Sequence, residues 1–588
     1  MDRAAMVHIV TGDVAGRVAA GNPQVQGTQA QTRALYGSFL LQEGESLLEG
    51  LVRNRYRIQA PCGGLGRCGK CRVKVLEGDL PVTGQDRMAF SESELAEGWR
   101  LACRAFPKED VKILLPEDMD RDFEILLADV DAGSSHPAGK IAESGQDQAS
   151  PGQGQASCTC GQETGYCVAV DLGTTTIAMV LLEEGGAEPL QTVSFVNRQR
   201  QYGADVIARI QASVDGKQGE LQECIREDLW EGMKKLAKEA GIFFSQIRQV
   251  VISGNTTMGH LLLGYPCQGL GVYPFTPVCI DIVQGGFREL TQGHEPGTER
   301  GRSIRPALPL EEAGGNGPAL MVLPGISTFV GGDIVSGLYA LDFDRKEGIC
   351  LLVDLGTNGE MALGNGEKIL VTSAAAGPAF EGGNITWGTG SVAGAICSVH
   401  LDREGKAQIV TIRNALPTGI CGTGVVETVR ELVRTGIVDE TGMLQEEYFE
   451  EGFPLARTPD GRQIVFTGPD VREIQLAKAA IRAGIETLLL RYGVTAADIQ
   501  EVYLAGGFGH KLDPEAAVAI GMLPRELLGR IQGVGNSSLA GAMKFLQEGN
   551  GRERMEGIRR ISQEIGLAAD KDFQTFYMDA MFFDEDAE

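Results

Sequence analysis

Three cysteines crowd into the stretch Pro61 to Val73, PCGGLGRCGKCRV. Cys62, Cys68 and Cys71 stand in C-x5-C-x2-C spacing, and Cys103 follows later in WRLACRAFP. Four thiolates can hold a soft metal. A structural zinc site usually takes two short ligand pairs, and only Cys68 and Cys71 make one. Three clustered cysteines with a distant fourth suit a [2Fe–2S] cluster, whose plant-type pattern is C-x4-C-x2-C plus a remote cysteine. Here the first gap is one residue longer. Gly63, Gly64, Gly66 and Gly69 favour the same choice, because glycine lets backbone N–H groups approach sulfur, and those hydrogen bonds tune the reduction potential. The loop fits an electron carrier better than a zinc knuckle.

A second chemistry is written in two turns. Asp171 to Thr176 reads DLGTTT and Asp354 to Glu360 reads DLGTNGE, each after an apolar run. A carboxylate at a strand end, followed by a glycine turn with hydroxyls, brings backbone N–H groups to phosphate oxygens and can hold a hydrated Mg²⁺ or orient water. Asp171 and Asp354 are the carboxylates of the two turns, and Gly173, Thr174, Thr175, Gly356 and Thr357 their glycines and hydroxyls. A third apolar run ends in GGFG, with Gly506 and Gly507. In GICGTGVVETVRELV, Gly422 and Gly424 precede an apolar helix, and Thr423 is either a nucleotide hydroxyl or a helix cap. GPAFEGGNITWGTGS surrounds one acid, Glu381, and one aromatic, Trp387, and is expected to be a cleft or partner-contact loop.

The elements that must position these residues are legible from periodicity. CVAVDLGTTTIAMVLLE, QVVISGNTTMGHLLLG, ICLLVDLGTNGEMAL and EVYLAGGFG each read as strand, glycine turn, then strand or helix. In VREIQLAKAAIRAGIETLLLRYG, Ile474, Ala477, Ile481, Ile485 and Leu488 fall on one helical face. The strand and turn unit occurs twice, which implies two related halves with a cleft between them. Near the start, RCGKCRVKVLEG and DVKILLP read as strands around a short helix in SLLEGLVRNR. Between these regions, 132–166 is rich in Gly, Ser, Gln and Ala, a composition that cannot offset its ordering entropy. The expected organisation is an α/β multidomain chain: a small α+β cysteine domain at 1–121, a flexible linker at 122–165, and two lobes at 166–343 and 344–588.

Composition narrows the function classes. A formal net charge of -26 argues against nucleic acid, whose non-specific affinity rests on clustered Lys and Arg. No run approaches the roughly 18 apolar residues of a membrane span, and MDRAAMVHIVTGDVAG lacks the form of a signal peptide. A cytoplasmic protein with no membrane partner is expected. The 13 cysteines then read as cofactor ligands plus buried thiols rather than disulfides. Cys158, Cys160 and Cys167 lack a fourth ligand, with Cys167 expected on a buried strand. Cys224, Cys267, Cys279, Cys350, Cys397 and Cys421 are expected to be packing residues, and His260 and His510 structural.

DLGTTT, DLGTNGE and LAGGFG together resemble the two phosphate loops and the adenosine loop of the superfamily of sugar kinases, heat-shock chaperones and actin, which implies Asp171 and Asp354 as the catalytic pair, Gly173, Thr174, Thr175, Gly356 and Thr357 as phosphate contacts, and Gly422, Thr423, Gly506 and Gly507 as further nucleotide contacts. The cysteine spacing resembles adrenodoxin-like ferredoxins. The whole, with SGNTTMGHLLLG, GGDIVSG, GPAFEG and LAGGFGHKLD, resembles the ATP-dependent reductive activators of corrinoid proteins across most of 55–545. The resemblance implies a β-grasp ferredoxin domain with Cys62, Cys68, Cys71 and Cys103 as [2Fe–2S] ligands, and a two-lobed, RNase H-like ATPase binding ATP and Mg²⁺. It implies reduction of a Co(II) corrinoid cofactor to Co(I) in a corrinoid methyl-transfer protein, supplied by a low-potential electron donor. Some members dimerise through a middle domain; in its place this chain is expected to have only 132–165, which argues against a homodimer built through such a domain while leaving a homodimer among the expected partners. Three alternatives stand beside it: an ATP-driven activator of another low-potential enzyme, a redox-sensing chaperone, and a small-molecule kinase.

Overall fold

The computed structural model describes residues 5–12, 35–116 apart from 43, 55, 57, 59, 61–63, 65, 67 and 68, then 164–291, and 317–583 apart from 510. Cys62, Cys68, Gly63, Cys158, Cys160, His510 and all but the last two residues of the expected linker lie outside the described residues.

The first unit is a five-stranded sheet of β1 (Met6–Gly12), β2 (Leu35–Leu40), β3 (Arg72–Glu77), β4 (Trp99–Leu101) and β5 (Val111–Pro116), in the order β2-β1-β5-β3-β4. Strands β1 and β5 run parallel while the other pairs are antiparallel, and one helix, Leu47–Arg53, packs on the sheet. That helix begins where the sequence sets a capping box: the Glu49 N–H donates to Ser46 Oγ at 3.2 Å and the Ser46 N–H to the Glu49 carboxylate at 2.8 Å. Leu47, Leu48 and Leu51 join Val7, Ile9, Val73 and Ile113 in its core.

Beyond residue 164 the chain builds one topology twice. The first sheet contains β6 (Tyr166–Leu172), β7 (Thr176–Glu183), β8 (Pro189–Val196), β9 (Ile247–Gly254), β10 (Val283–Gly286) and β11 (Ala319–Val322), ordered β10-β11-β9-β6-β7-β8. The second contains β12 (Cys350–Leu355), β13 (Gly359–Gly364), β14 (Ile369–Ala374), β20 (Glu501–Ala505), β21 (Ile531–Gly535) and β22 (Ser562–Glu564), ordered β21-β20-β12-β13-β14-β22. In each, three antiparallel strands are followed by two parallel additions, β9 and β11 beside β6, and β20 and β21 beside β12. A smaller sheet, β15 (Ala395–Leu401), β16 (Ala407–Thr411) and β17 (Gly419–Ile420), and a hairpin, β18 (Phe453–Arg457) and β19 (Gln463–Phe466), decorate the second half.

The strands read as continuous apolar runs because both faces are covered. Val168, Val170 and Leu172 face an outer core with Leu229, Trp230 and Met233 of the helix Gln218–Ala240. Leu351, Val353 and Leu355 do the same against the helix Gly468–Tyr492, whose expected face of Ile474, Ala477, Ile481, Ile485 and Leu488 is buried. The alternate residues, Ala169 from β6 and Leu352 from β12, enter one shared inner core with Leu338 and Ala542. Two helices, Gly332–Ala340 and Ser537–Gln547, meet there. A Cβ at Gly541 would lie 2.1 Å from the Ser336 carbonyl oxygen, and one at Gly337 would lie 2.8 Å from Ser537 Oγ, so only glycine permits this approach. Among the described residues no helix is long and apolar enough to cross a membrane.

Candidate functional site

Two sites emerge, one per chemistry. Cys71 Sγ lies 3.3 Å from Cys103 Sγ, both buried and unbridged. Ligands of one tetrahedral ion with bonds near 2.3 Å sit about 3.7 Å apart, so this pair is poised for metal. Cys71 stands just before β3 and Cys103 in the turn Ala102–Arg104 after β4, and the Ala102 N–H to Cys71 carbonyl bond of 2.8 Å ties the two segments together. Gly64, Gly66 and Gly69 have φ of +83°, +75° and +67°, the left-handed region that glycine enters without penalty. A Cβ at Gly64 would be 3.8 Å from that of Cys103, which brings the loop backbone against the thiol pair. The donor set and backbone fit a [2Fe–2S] cluster.

The second site lies where the two halves face each other. Asp171 and Asp354 occupy the same place, the next-to-last residue of β6 and of β12. Gly173 and Gly356 close their turns, donating to the Thr176 and Asn358 carbonyls at 3.0 Å. The first turn is clasped from behind: Asn197 donates to the Gly173 carbonyl (3.0 Å), Arg209 to the Thr174 carbonyl, and Asn255 to Thr174 Oγ1 (2.9 Å). Thr175 and Thr357, one from each turn, both donate to Glu381 Oε2, at 3.3 and 3.2 Å. The acid left without a chemical role by the sequence thus bridges the two halves.

Gly506 has φ +91°, and a Cβ there would lie 2.4 Å from the Leu355 carbonyl and 2.8 Å from Asp354 Oδ1. The GGFG turn therefore presses directly on the end of β12. Gly507 is exposed, with open space above it. Phe508 stacks on Phe380, centroids 5.3 Å apart and planes 9° from parallel, which fixes the Glu381 segment against the turn. Gly422 and Gly424 lie inside the first turn of the helix Gly422–Arg434 rather than before it, and Gly422 abuts the Phe380 carbonyl. Thr423 is not the cap: Cys421 holds that position, and Thr423 Oγ1 lies 3.3 Å from its sulfur. Trp387 lies under the Arg462 guanidinium instead.

The cleft is crowded with acid. Asp171 accepts from Ser538 Oγ (2.7 Å) and Asn536 Nδ2 (2.8 Å), yet burial raises its pKa. Ser538 Oγ lies 2.9 Å from Ser253 Oγ, itself 2.9 Å from Ser336 Oγ. Burial, then the charges of Asp333 and Asp171, push Asp354 up to about 7. Asp333 and Glu360 are raised by burial and by these same neighbours. Burial also raises Glu381, against the opposing pull of Thr357, Arg200 and Thr175. Among the described residues no three ligands converge closely enough to bind a metal directly.

The raised pKa has a sign that can be checked. Native Asp354 keeps its proton up to about pH 7, whereas an unfolded aspartate releases it near pH 4. Its stabilising contribution is complete below about pH 4 and is lost as pH rises through 7. Without nucleotide or divalent cation, thermal stability should rise between pH 8 and 6. Asp354→Asn should melt a few degrees higher at pH 8 and show a flatter slope. Identical slopes by scanning calorimetry would contradict this electrostatic assignment.

Sequence reasoning gave no role to Asn197, Arg209, Asn255, Asp333, Asn536 and Ser538, which reach the two turns through tertiary packing, nor to Glu360, which faces Asp354 within one hairpin. GGDIVSG was the one local signal for Asp333. His260 is structural as expected: Nδ1 lies 2.8 Å from the Thr256 carbonyl, and Nε2 accepts from the Val278 N–H at 2.9 Å. Cys167 is buried on β6, its pKa pushed up to about 11 by burial. Cys421 is buried with its thiol 3.2 Å from the Ile396 carbonyl, and Cys397 is half-buried with its thiol 3.4 Å from the Val410 carbonyl.

Comparison with known proteins gives a consistent picture. Residues 348–588 match the C-terminal ASKHA domain of RACo, 166–298 the RACo middle region, and 37–108 a 2Fe–2S iron–sulfur cluster binding domain. The corrinoid activation enzyme RamQ of Eubacterium limosum is 32% identical over 441 residues, which cover 71% of this chain and 70% of RamQ. The [Co(II) methylated amine-specific corrinoid protein] reductase of Methanosarcina barkeri is 27% identical over 440 residues, 70% of this chain and 76% of that protein. A solved reductive activator for corrinoid, iron–sulfur protein superposes with a TM-score of 0.62 at 26% identity, covering 98% of both chains. The stretch matched to the RACo middle region, 166–298, begins beyond the low-complexity segment 132–165 and carries β6 to β10 of the first sheet.

Proposed function

This chain belongs to the family of corrinoid reductive activators, and from that premise we propose that it returns an oxidised corrinoid protein to its working state. It is an ATP-dependent reductase that converts the Co(II) corrinoid cofactor of a methyl-transfer protein to Co(I). The observation that carries this reading is the union, in one chain, of the Cys71 and Cys103 thiols at 3.3 Å with a nucleotide cleft bounded by two equivalent turns.

Cys62, Cys68, Cys71 and Cys103 hold the [2Fe–2S] cluster, which supplies a one-electron relay when bound. Gly173, Thr174, Thr175, Gly356 and Thr357 take the phosphates of ATP, while Gly422, Thr423, Gly506 and Gly507 take its adenosine end. Asp171 and Asp354 orient Mg²⁺ through water. The crowding of Asp333 and Glu360 beside them supports a divalent cation, because its charge relieves their repulsion. The division into 1–121, 122–165, 166–343 and 344–588 remains the proposed domain plan. A homodimer is part of this reading, and sedimentation would test it. A low-potential donor in the cytoplasm completes the route.

ATP is needed because the transfer is uphill or blocked. Plant-type clusters sit near about -400 mV, and each further 59 mV or so costs tenfold for one electron. Differential binding of ATP to two protein states can offset that cost. The test is an anaerobic visible spectrum of a corrinoid protein mixed with this chain and a low-potential reductant, with and without Mg-ATP. Growth of the Co(I) band only when both are present is expected. A reduced cluster and consumed ATP without Co(I) would redirect the assignment to another acceptor or to a chaperone.

A further inference from the structure

The carboxylate of the first turn is held from the other half of the molecule. Asp171 lies at the end of β6, yet Ser538 Oγ donates to its Oδ1 at 2.7 Å and Asn536 Nδ2 to its Oδ2 at 2.8 Å. Both donors stand at the start of helix Ser537–Gln547, which follows β21 in the second half. The direction of the Asn536 amide is fixed by its other contact. Asn536 Oδ1 caps the helix by accepting the Leu539 N–H at 2.8 Å, so the NH₂ group is the one left to face Asp171. Ser538 is buried, and its Oγ also lies 2.9 Å from Ser253 Oγ.

The terminal torsion of an aspartate is soft, so a single donor would leave its carboxylate free to swing. Two donors, one per oxygen, fix its plane. They occupy two of about four lone-pair sites, which leaves the carboxylate able to accept from other donors. The repeated topology does not impose this arrangement. The helix that follows β11 in the first half is capped by Gly331, and its second residue is Asp333, whose Oδ1 accepts the Ile334 N–H at 2.9 Å. Where that half has Gly331 and Asp333, neither with a side-chain donor, the second half has Asn536 and Ser538. The donors are a departure from the repeat, and they converge on one carboxylate.

We propose that Asn536 and Ser538 are positioning residues for ATP turnover, donors on one half that hold the Asp171 carboxylate of the other in a fixed orientation toward the cation's water. This rests on the ATP and Mg²⁺ assignment and deepens it: the first phosphate turn is complete only when the second half supplies its donors. The test compares the full-length holoprotein as wild type, Ser538→Ala, Asn536→Ser and Ser336→Ala. Asn536→Ser keeps a cap acceptor and withdraws the amide donor. Ser336→Ala changes the same buried chain two hydroxyls away from Asp171. Ser538→Ala and Asn536→Ser should each lower ATP turnover at saturating Mg-ATP by about 10- to 100-fold, the scale of losing an outer-shell partner. Mg-ATP affinity by titration calorimetry should change by less than about threefold. Ser336→Ala should stay within about twofold of wild type on both readouts. Melting without nucleotide or Mg²⁺ tests the contact itself: Ser538→Ala should lower Tm by a few degrees in the wild-type chain and hardly change it once Asp171 is alanine. Additive melting shifts, wild-type turnover in both donor variants, a loss of affinity as large as that of turnover, or an equal loss in Ser336→Ala would overturn the proposal. A wild type that binds no nucleotide would instead overturn the ATP assignment beneath it.

Discussion

Cys71→Ala is expected to yield a folded protein that binds ATP, lacks the visible absorption of an iron–sulfur centre and delivers no electron to the corrinoid. Cys71 is buried and 3.3 Å from Cys103, so its loss removes one of two converging thiolates. Losing even an outer-shell partner typically costs roughly 10–100-fold in affinity or activity at metal sites, and loss of a ligand should exceed that. Folding should survive, because alanine keeps most of the side-chain volume and the Ala102 to Cys71 bond is made by backbone. Absorption and Co(I) formation at wild-type levels would remove Cys71 from the ligand set.

Asp354→Ala should give the reciprocal phenotype: a cluster that still accepts an electron from dithionite, with ATP turnover reduced by about 10²–10³, the usual scale for losing one preorganised electrostatic contact. Asp354 is positioned by the end of β12, with Glu360 opposite on β13 and the Gly506 turn against its carboxylate. It is also electrostatically unfavourable there, driven to about 7 by burial and by Asp333 and Asp171. Its removal should therefore leave the nucleotide-free protein at least as stable as wild type. An inactive variant that melts no earlier separates a group retained for function from one retained for folding. ATP turnover at the wild-type rate would overturn the assignment.

The sequence made the strand ends legible because their chemistry is local. Asp171, Gly173 and Thr175 are held in one turn, and an apolar run before DLGT can only be a covered strand. Glu381 could not be read in the same way. Its partner Thr175 is 206 positions away, and Ser538 is 367 positions from Asp171. Nothing in either segment signals a neighbour that only sheet duplication brings near. Thr423 misled for a smaller reason: glycines before an apolar run mark a helix start to within a turn, and the cap falls on Cys421.

The glycine contact between helices Gly332–Ala340 and Ser537–Gln547 also determines how the molecule can move. With Gly541 against the Ser336 backbone, and Ser538 joined through Ser253 to Ser336, the two halves are pinned along one line. A closed seam on one side and separable polar contacts on the other make a lever with a fixed fulcrum. Displacement grows with distance from that axis, and the Thr175–Glu381–Thr357 bridge, made by hydrogen bonds alone, is a contact between the halves that can open. A small opening at that bridge is geared up towards the outer rim, and spin labels at exposed Ile207 and Asn384 would record far more travel than a pair placed beside Gly337 and Gly541.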